Sequence, residues 1–121
     1  VTGVQTCALP ILTEKTIKSM YSLLRSMPPF NKWNLPPAHK IKFKVVHDLP
    51  LLGHMHMKPF KMEIGTKHQE HFESVLTTVA HEMVHLSLFI DGCPSFNQHR
   101  KAFRMKTAQI GDLYGFDRKM L

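Results

Sequence analysis

Two histidines four residues apart with a glutamate between them, His81-Glu82-Met83-Val84-His85, are the residues of this chain best suited to chemistry. On an α-helix, positions i and i+4 lie roughly 40° apart around the axis and about 6 Å apart along it, so both imidazoles can reach one tetrahedral metal ion. Zinc is the ion such a pair suits. A third protein ligand would leave the fourth position for water, whose pKa the metal lowers toward about 7 and whose proton the glutamate can take. The chemistry expected of the group is hydrolysis, with Glu82 as general base.

The pentapeptide lies in a helical pattern. Phe72, Val75, Leu76, Val79, Met83, Leu86 and Ile90 follow one another at spacings of 3, 1, 3, 4, 3 and 4, an apolar stripe at the helical period. His81 and His85 fall nearly opposite that stripe, and Glu82 is the one charged residue between Ser74 and Ile90. Such a helix is expected to be buried on most sides, with its histidines lining a cleft. The competing reading is a core helix whose histidines bond to backbone, which leaves two buried imidazoles and a buried carboxylate without a common partner.

A third ligand is sought downstream. Asp91 is one candidate, but a helix running to Ile90 puts it about 9 Å along the axis beyond His85. Asp91-Gly92-Cys93-Pro94-Ser95 reads as the turn that stops the helix, with Gly92 suited to a left-handed cap and Pro94 barring continuation. Ser95 or Asn97 can then cap a new helix in which His99 shares a face with Ala102, Phe103, Lys106 and Ile110. Residues 91 to 97 are enough to fold back along the first helix, which makes His99 the preferred third ligand and Asp91 the alternative.

From about Pro36 to Leu121 the chain resembles the SprT-like zinc metallopeptidases, particularly short phage and metagenomic members. The resemblance is carried by Gly53 and the short strand after it, the segment Pro59 to Ile64, Thr77-Thr78-Val79-Ala80 leading into the histidine motif, His99 with Ala102-Phe103, and Ile110 through Gly115-Phe116-Asp117. It implies zinc on His81, His85 and His99, and Glu82 as catalytic base. It also implies a minimal zincin-like domain.

The remaining elements must position these residues. With 121 residues, 43% of them hydrophobic, and no run of eighteen apolar residues, one small domain without a membrane span is expected. Residues 1–11 read as a translated sequencing adapter and are set aside; residues 12–121 are the domain. Setting them aside removes Cys7 and leaves Cys93 alone, so no disulfide framework is expected and a reducing, cytoplasmic setting fits. Cys93 reads as a small loop residue, or else a spare ligand. Thr13 can cap a first helix with Ile17, Met20, Tyr21, Leu24 and Met27 on one face, stopped by Pro28-Pro29. The four prolines between Pro28 and Pro37 predict an extended strap, with Trp33 as an anchor that packs onto the domain.

Lys40 to Val46 alternates lysines with Ile41, Phe43 and Val45, a half-buried strand. Gly53 to Met57 and Phe60 to Ile64 predict two more strands. His54 and His56, on one side of theirs, read as surface or cleft-wall residues. Thr66 and Gln69 have capping-box spacing before the metal-binding helix. The fold class expected is α+β: an N-terminal helix, a small, mostly antiparallel three-stranded sheet, and two C-terminal helices carrying the zinc site.

Sixteen Lys and Arg against nine Asp and Glu give a formal charge of +7. Lys40, Lys42 and Lys44 share a strand face, and Arg100, Lys101, Arg104 and Lys106 follow the turn. Such basic surfaces attract polyanions, though a solvated face explains them equally. The better-known members of the family that the chain resembles act on DNA-bound proteins, so DNA is a second expected partner beside a protein or peptide substrate. Lys106, on the His99 face, is the candidate cation near the metal. The expected activity is a monomeric zinc peptidase. The alternative is a basic nucleic-acid-binding module whose zinc is structural or vestigial.

Overall fold

The computed structural model of the chain describes residues 12–47, 49, 51–66 and 71–116. The adapter-like segment with Cys7, and also Gln69 and Asp117, lie outside the described residues. Among the described residues the architecture is α+β: three helices and a three-stranded sheet in the order α1 (Glu14–Arg25), β1 (Lys42–Val46), β2 (Gly53–Met57), β3 (Phe60–Gly65), α2 (Phe72–Ile90) and α3 (Lys101–Tyr114). Among the described residues no helix is long and apolar enough to cross a membrane.

Helix α1 begins where Thr13 accepts the Thr16 N–H on its hydroxyl, at 3.3 Å, and it buries Ile17, Met20, Tyr21 and Leu24. The strap after it is bound to α1 by the Tyr21 hydroxyl, which donates to the Pro36 carbonyl at 2.6 Å, and by Arg25 Nε, which donates to the Leu35 carbonyl at 2.9 Å. It is less extended than predicted, since its prolines fix φ near helical values and two 3₁₀ turns form, Phe30–Lys32 and Ala38–Lys40. Trp33 packs edge-on against Phe30 and is buried, as an anchor should be.

In the sheet the expectation of mostly antiparallel pairing is corrected. The strand order is β1-β3-β2, with β3 antiparallel to β2 and parallel to β1. After β1 the chain reverses and runs back one strand's width away, and the tight β2–β3 turn then folds β3 into the gap. Within β1 the alternation holds, with Lys42 and Lys44 exposed and Phe43 buried, but Lys40 lies in the 3₁₀ turn before the strand and does not share its face. That periodicity decides which face is apolar but says nothing about neighbours.

Helix α2 packs on β2, on α1 and on α3. It is buried nearly all round from Val75 to Leu88, whereas Phe72, the first residue of the predicted stripe, is 65% exposed. Its N-cap is His71, without a side-chain bond, and Thr66 stands before it outside the helix. At the other end Asp91 is the C-cap. Gly92 adopts φ +76°, its N–H donates to the Phe89 carbonyl, and the Cys93 N–H donates to the Leu88 carbonyl. This is the paired-bond helix stop in which a left-handed glycine satisfies the last carbonyls.

Candidate metal centre

Three imidazoles meet where the end of the turn after α2 passes the middle of that helix. The Nε2 atoms of His81, His85 and His99 are 3.1 to 3.2 Å from one another. Each such nitrogen offers one in-plane lone pair or one hydrogen, so three of them cannot all satisfy each other. One cation at their focus can. Nitrogens bound at roughly 2.0–2.1 Å around a tetrahedral centre would stand about 3.3 Å apart, close to the triangle observed. The three histidines thus lie close enough to hold a metal ion, and their geometry fits one.

The three histidines are placed by the helix and by the turn that follows it. His81 and His85 come from adjacent turns of α2, as their spacing dictates. His85 is buried and its Nδ1 donates to the Phe96 carbonyl at 2.7 Å, which turns the lone pair of Nε2 toward the focus. Burial holds the His85 imidazole below its ordinary pKa, the Phe96 carbonyl partly opposes this, and the neighbouring His99 and His54 reinforce it. A neutral ring is what a metal ligand requires. His99 was expected inside the last helix, but α3 starts at Lys101 and His99 stands two residues before it. Neither Ser95 nor Asn97 caps that helix. Their segment forms turns instead, with the Phe96 N–H on the Cys93 carbonyl and the Gln98 N–H on the Ser95 carbonyl.

What α3 supplies is Phe103. Its ring, 2% exposed, lies 4.6 to 4.8 Å from the ring centres of all three histidines and forms their common floor. The sequence placed Phe103 on the His99 face but did not distinguish its role from ordinary core packing.

Glu82 projects from α2, between His81 and His85 in sequence, and is 5% exposed. Burial pushes its carboxyl up to about 8. A carboxyl in this state is poised to hold a proton, and a nearby cation would draw it back toward the charged form. A β-carbon added to Gly53 would lie 3.2 Å from Glu82 Oε2 and 2.8 Å from Thr78 Cγ2. The edge strand therefore descends onto the carboxylate at the one residue that lacks a side chain. His81, Glu82, His85 and His99 all line one cleft of about 350 Å³, together with residues 51–55 on its opposite wall.

The other candidates fall outside the cluster. Asp91 accepts from Lys106 Nζ at 2.9 Å. Lys106 also donates to the Ser87 hydroxyl and lies 4.6 Å over the Trp33 ring, so it clamps α3 to α2 and the strap and does not line the cleft. Cys93 packs against the core with Sγ 3.4 Å from the Ser95 hydroxyl and does not join the ligand group. His54 and His56 meet edge-on with ring centres 4.4 Å apart, and His54 does line the cleft. His56 is engaged by Glu63, with Nε2 2.6 Å from a carboxylate oxygen. That pairing joins residues of two strands and has no signal in the linear sequence. Comparison with protein-family models, with curated proteins and with solved structures finds no match to this chain.

Proposed function

We propose that the chain is a zinc-dependent peptidase, as the likeness of its motifs to SprT-like enzymes suggests. The observation that carries this reading is the meeting of three neutral-capable imidazole nitrogens at one point, with a buried carboxyl on the wall of the same cleft. His81, His85 and His99 would hold the ion. Zinc bound there would supply Lewis acidity toward a scissile carbonyl and acidify water at its open position. Glu82 takes the proton of the attacking water and returns it to the leaving amine. A bound cation would draw the buried carboxyl toward the charged form that can accept that proton. β2 has β3 on one side only, so alternate residues turn backbone N–H and C=O groups outward, and an extended peptide can add to that edge beside Glu82.

Lys42, Lys44, Arg100, Lys101 and Arg104 are all exposed, which supports a second reading in which these basic faces bind DNA and the metal is structural. In a combined version, DNA-associated proteins are the substrate. The two readings part at Glu82, since a structural ion needs no carboxyl beside an open position. The first experiment is zinc stoichiometry by elemental analysis on the wild type and His99→Ala, followed by peptide cleavage with Glu82→Gln. One zinc in the wild type, its loss in His99→Ala, and cleavage reduced at least 100-fold in a zinc-retaining Glu82→Gln are expected. Equal cleavage by Glu82→Gln would refute the catalytic assignment.

A further inference from the structure

Six large apolar side chains stand exposed among the described residues, and two of them are chain neighbours on the rim of the cleft: Leu51, 58% exposed, and Leu52, 41% exposed. The others, Leu23, Phe72, Met105 and Leu113, do not line it. The rim is held in place from below. Gly65, at the end of β3, donates its N–H to the Leu52 carbonyl at 2.8 Å, and a β-carbon at position 65 would fall 2.6 Å from the Leu51 carbonyl oxygen. The leucine segment therefore lies against the backbone of the central strand. Beyond it along β2, Met55 and Met57 line the same cleft, and Phe96 lines it from the turn after α2.

We infer that Leu51 and Leu52 form an apolar subsite that receives an apolar side chain of an extended peptide, next to the position where the peptide is cut. The inference deepens the peptidase reading and rests on it for its purpose. Three observations support this occupant. The leucines immediately precede β2, so a peptide added along that strand passes them. The backbone of Gly53, the next residue, lies against the Glu82 carboxylate, which places the leucines beside the reacting centre. Aliphatic surface left in water at a cleft mouth is also covered favourably by an aliphatic or aromatic side chain and poorly by a charged one. The substrate class that follows is a segment with Leu, Met or Phe at that position, such as an unfolded stretch exposes.

The test uses the full chain with Glu82→Gln, so that bound peptide is not consumed, loaded with zinc. Fluorescein-labelled Gly/Ser peptides carrying a single central Leu, Phe or Asp are titrated by anisotropy. The Leu and Phe peptides are expected to bind about tenfold more tightly than the Asp peptide, and this preference is expected to fall below twofold when Leu51→Ser and Leu52→Ser are added. Both side chains are exposed, so the substitutions leave the core intact, which a thermal melt verifies. No binding, equal binding of all three peptides, or a preference that survives the double substitution overturns the subsite. Cleavage by the wild-type chain is scored separately. Absent cleavage with the preference intact would refute the peptidase reading and leave the subsite standing.

Discussion

On the sheet, His56 and Glu63 form one histidine–glutamate group; in the cleft, His81, His85, His99 and Glu82 form another. Glu63 has His56 at 2.6 Å and Lys61 at 3.6 Å, and chiefly the His56 hydrogen bond holds its carboxyl below the usual range. Glu82 has no such neighbour, and burial drives it the other way, to about 8. The same residue type thus reaches opposite protonation tendencies, set in one place by a hydrogen-bonded histidine and in the other by burial. In the sheet group the charges are settled internally. In the cleft three imidazole nitrogens face one another, close enough to hold a metal ion, and burial favours the protonated form of the carboxyl beside them.

The comparison can be broken at four points. The largest effect is expected for Phe103→Ala, which removes the floor under three imidazoles. A loss of about 3–5 kcal/mol in denaturant unfolding is expected, with zinc affinity reduced. An equivalent loss of stability with unchanged zinc affinity would mean that the floor is core packing alone. Next is pH. In chelator-treated protein, Glu82 binds its proton more tightly folded than unfolded, so its contribution to stability is present below about 4.5 and is lost as pH rises through about 8. Glu63 has the opposite sign, its contribution being lost as pH falls below the ordinary carboxylate range. Stability curves of Glu82→Gln should therefore lack the decline between about 4.5 and 8, and an unchanged curve would remove the basis of the contrast.

A smaller effect is expected from Gly53→Ala. The new methyl group meets Thr78 Cγ2 and the Glu82 carboxylate, so about 1–3 kcal/mol of stability should be lost, with kcat falling more than KM rises. Unchanged kcat would show that strand and carboxylate are independent. The smallest belongs to Glu63→Gln, since His56 is well exposed and such pairs contribute at most about 1 kcal/mol. Zinc content should not change. Any loss of zinc would join the two groups that the contrast separates.

Much of the site was legible because its parts are local. The spacing of His81 and His85 is a property of one helix, and Asp91-Gly92-Cys93-Pro94 specified its stop. His99 was found by asking how far seven residues can reach. The same reasoning erred over where α3 begins, because helix-capping types at Ser95 and Asn97 were engaged in turns instead. What was not legible depends on which elements become neighbours. β3 inserts between β1 and β2, Glu63 meets His56, and Lys106 is drawn to Asp91, Ser87 and Trp33. Each of these is fixed by which elements pair and pack together, and hydrophobic period carries no information about such partnerships.

The hydrogen bond from His85 to the Phe96 carbonyl has a thermodynamic consequence. The turn that delivers His99 is also the turn whose backbone orients His85, so the second and third candidate ligands do not take up their places independently. If the turn opens, one ligand is lost and another is released from its tautomer in the same event. Ion binding should therefore be all-or-none, with no stable two-histidine intermediate. It should also draw residues 91–99 into a single cooperative unit with α2, visible as amide-exchange protection of that segment that appears only with the ion.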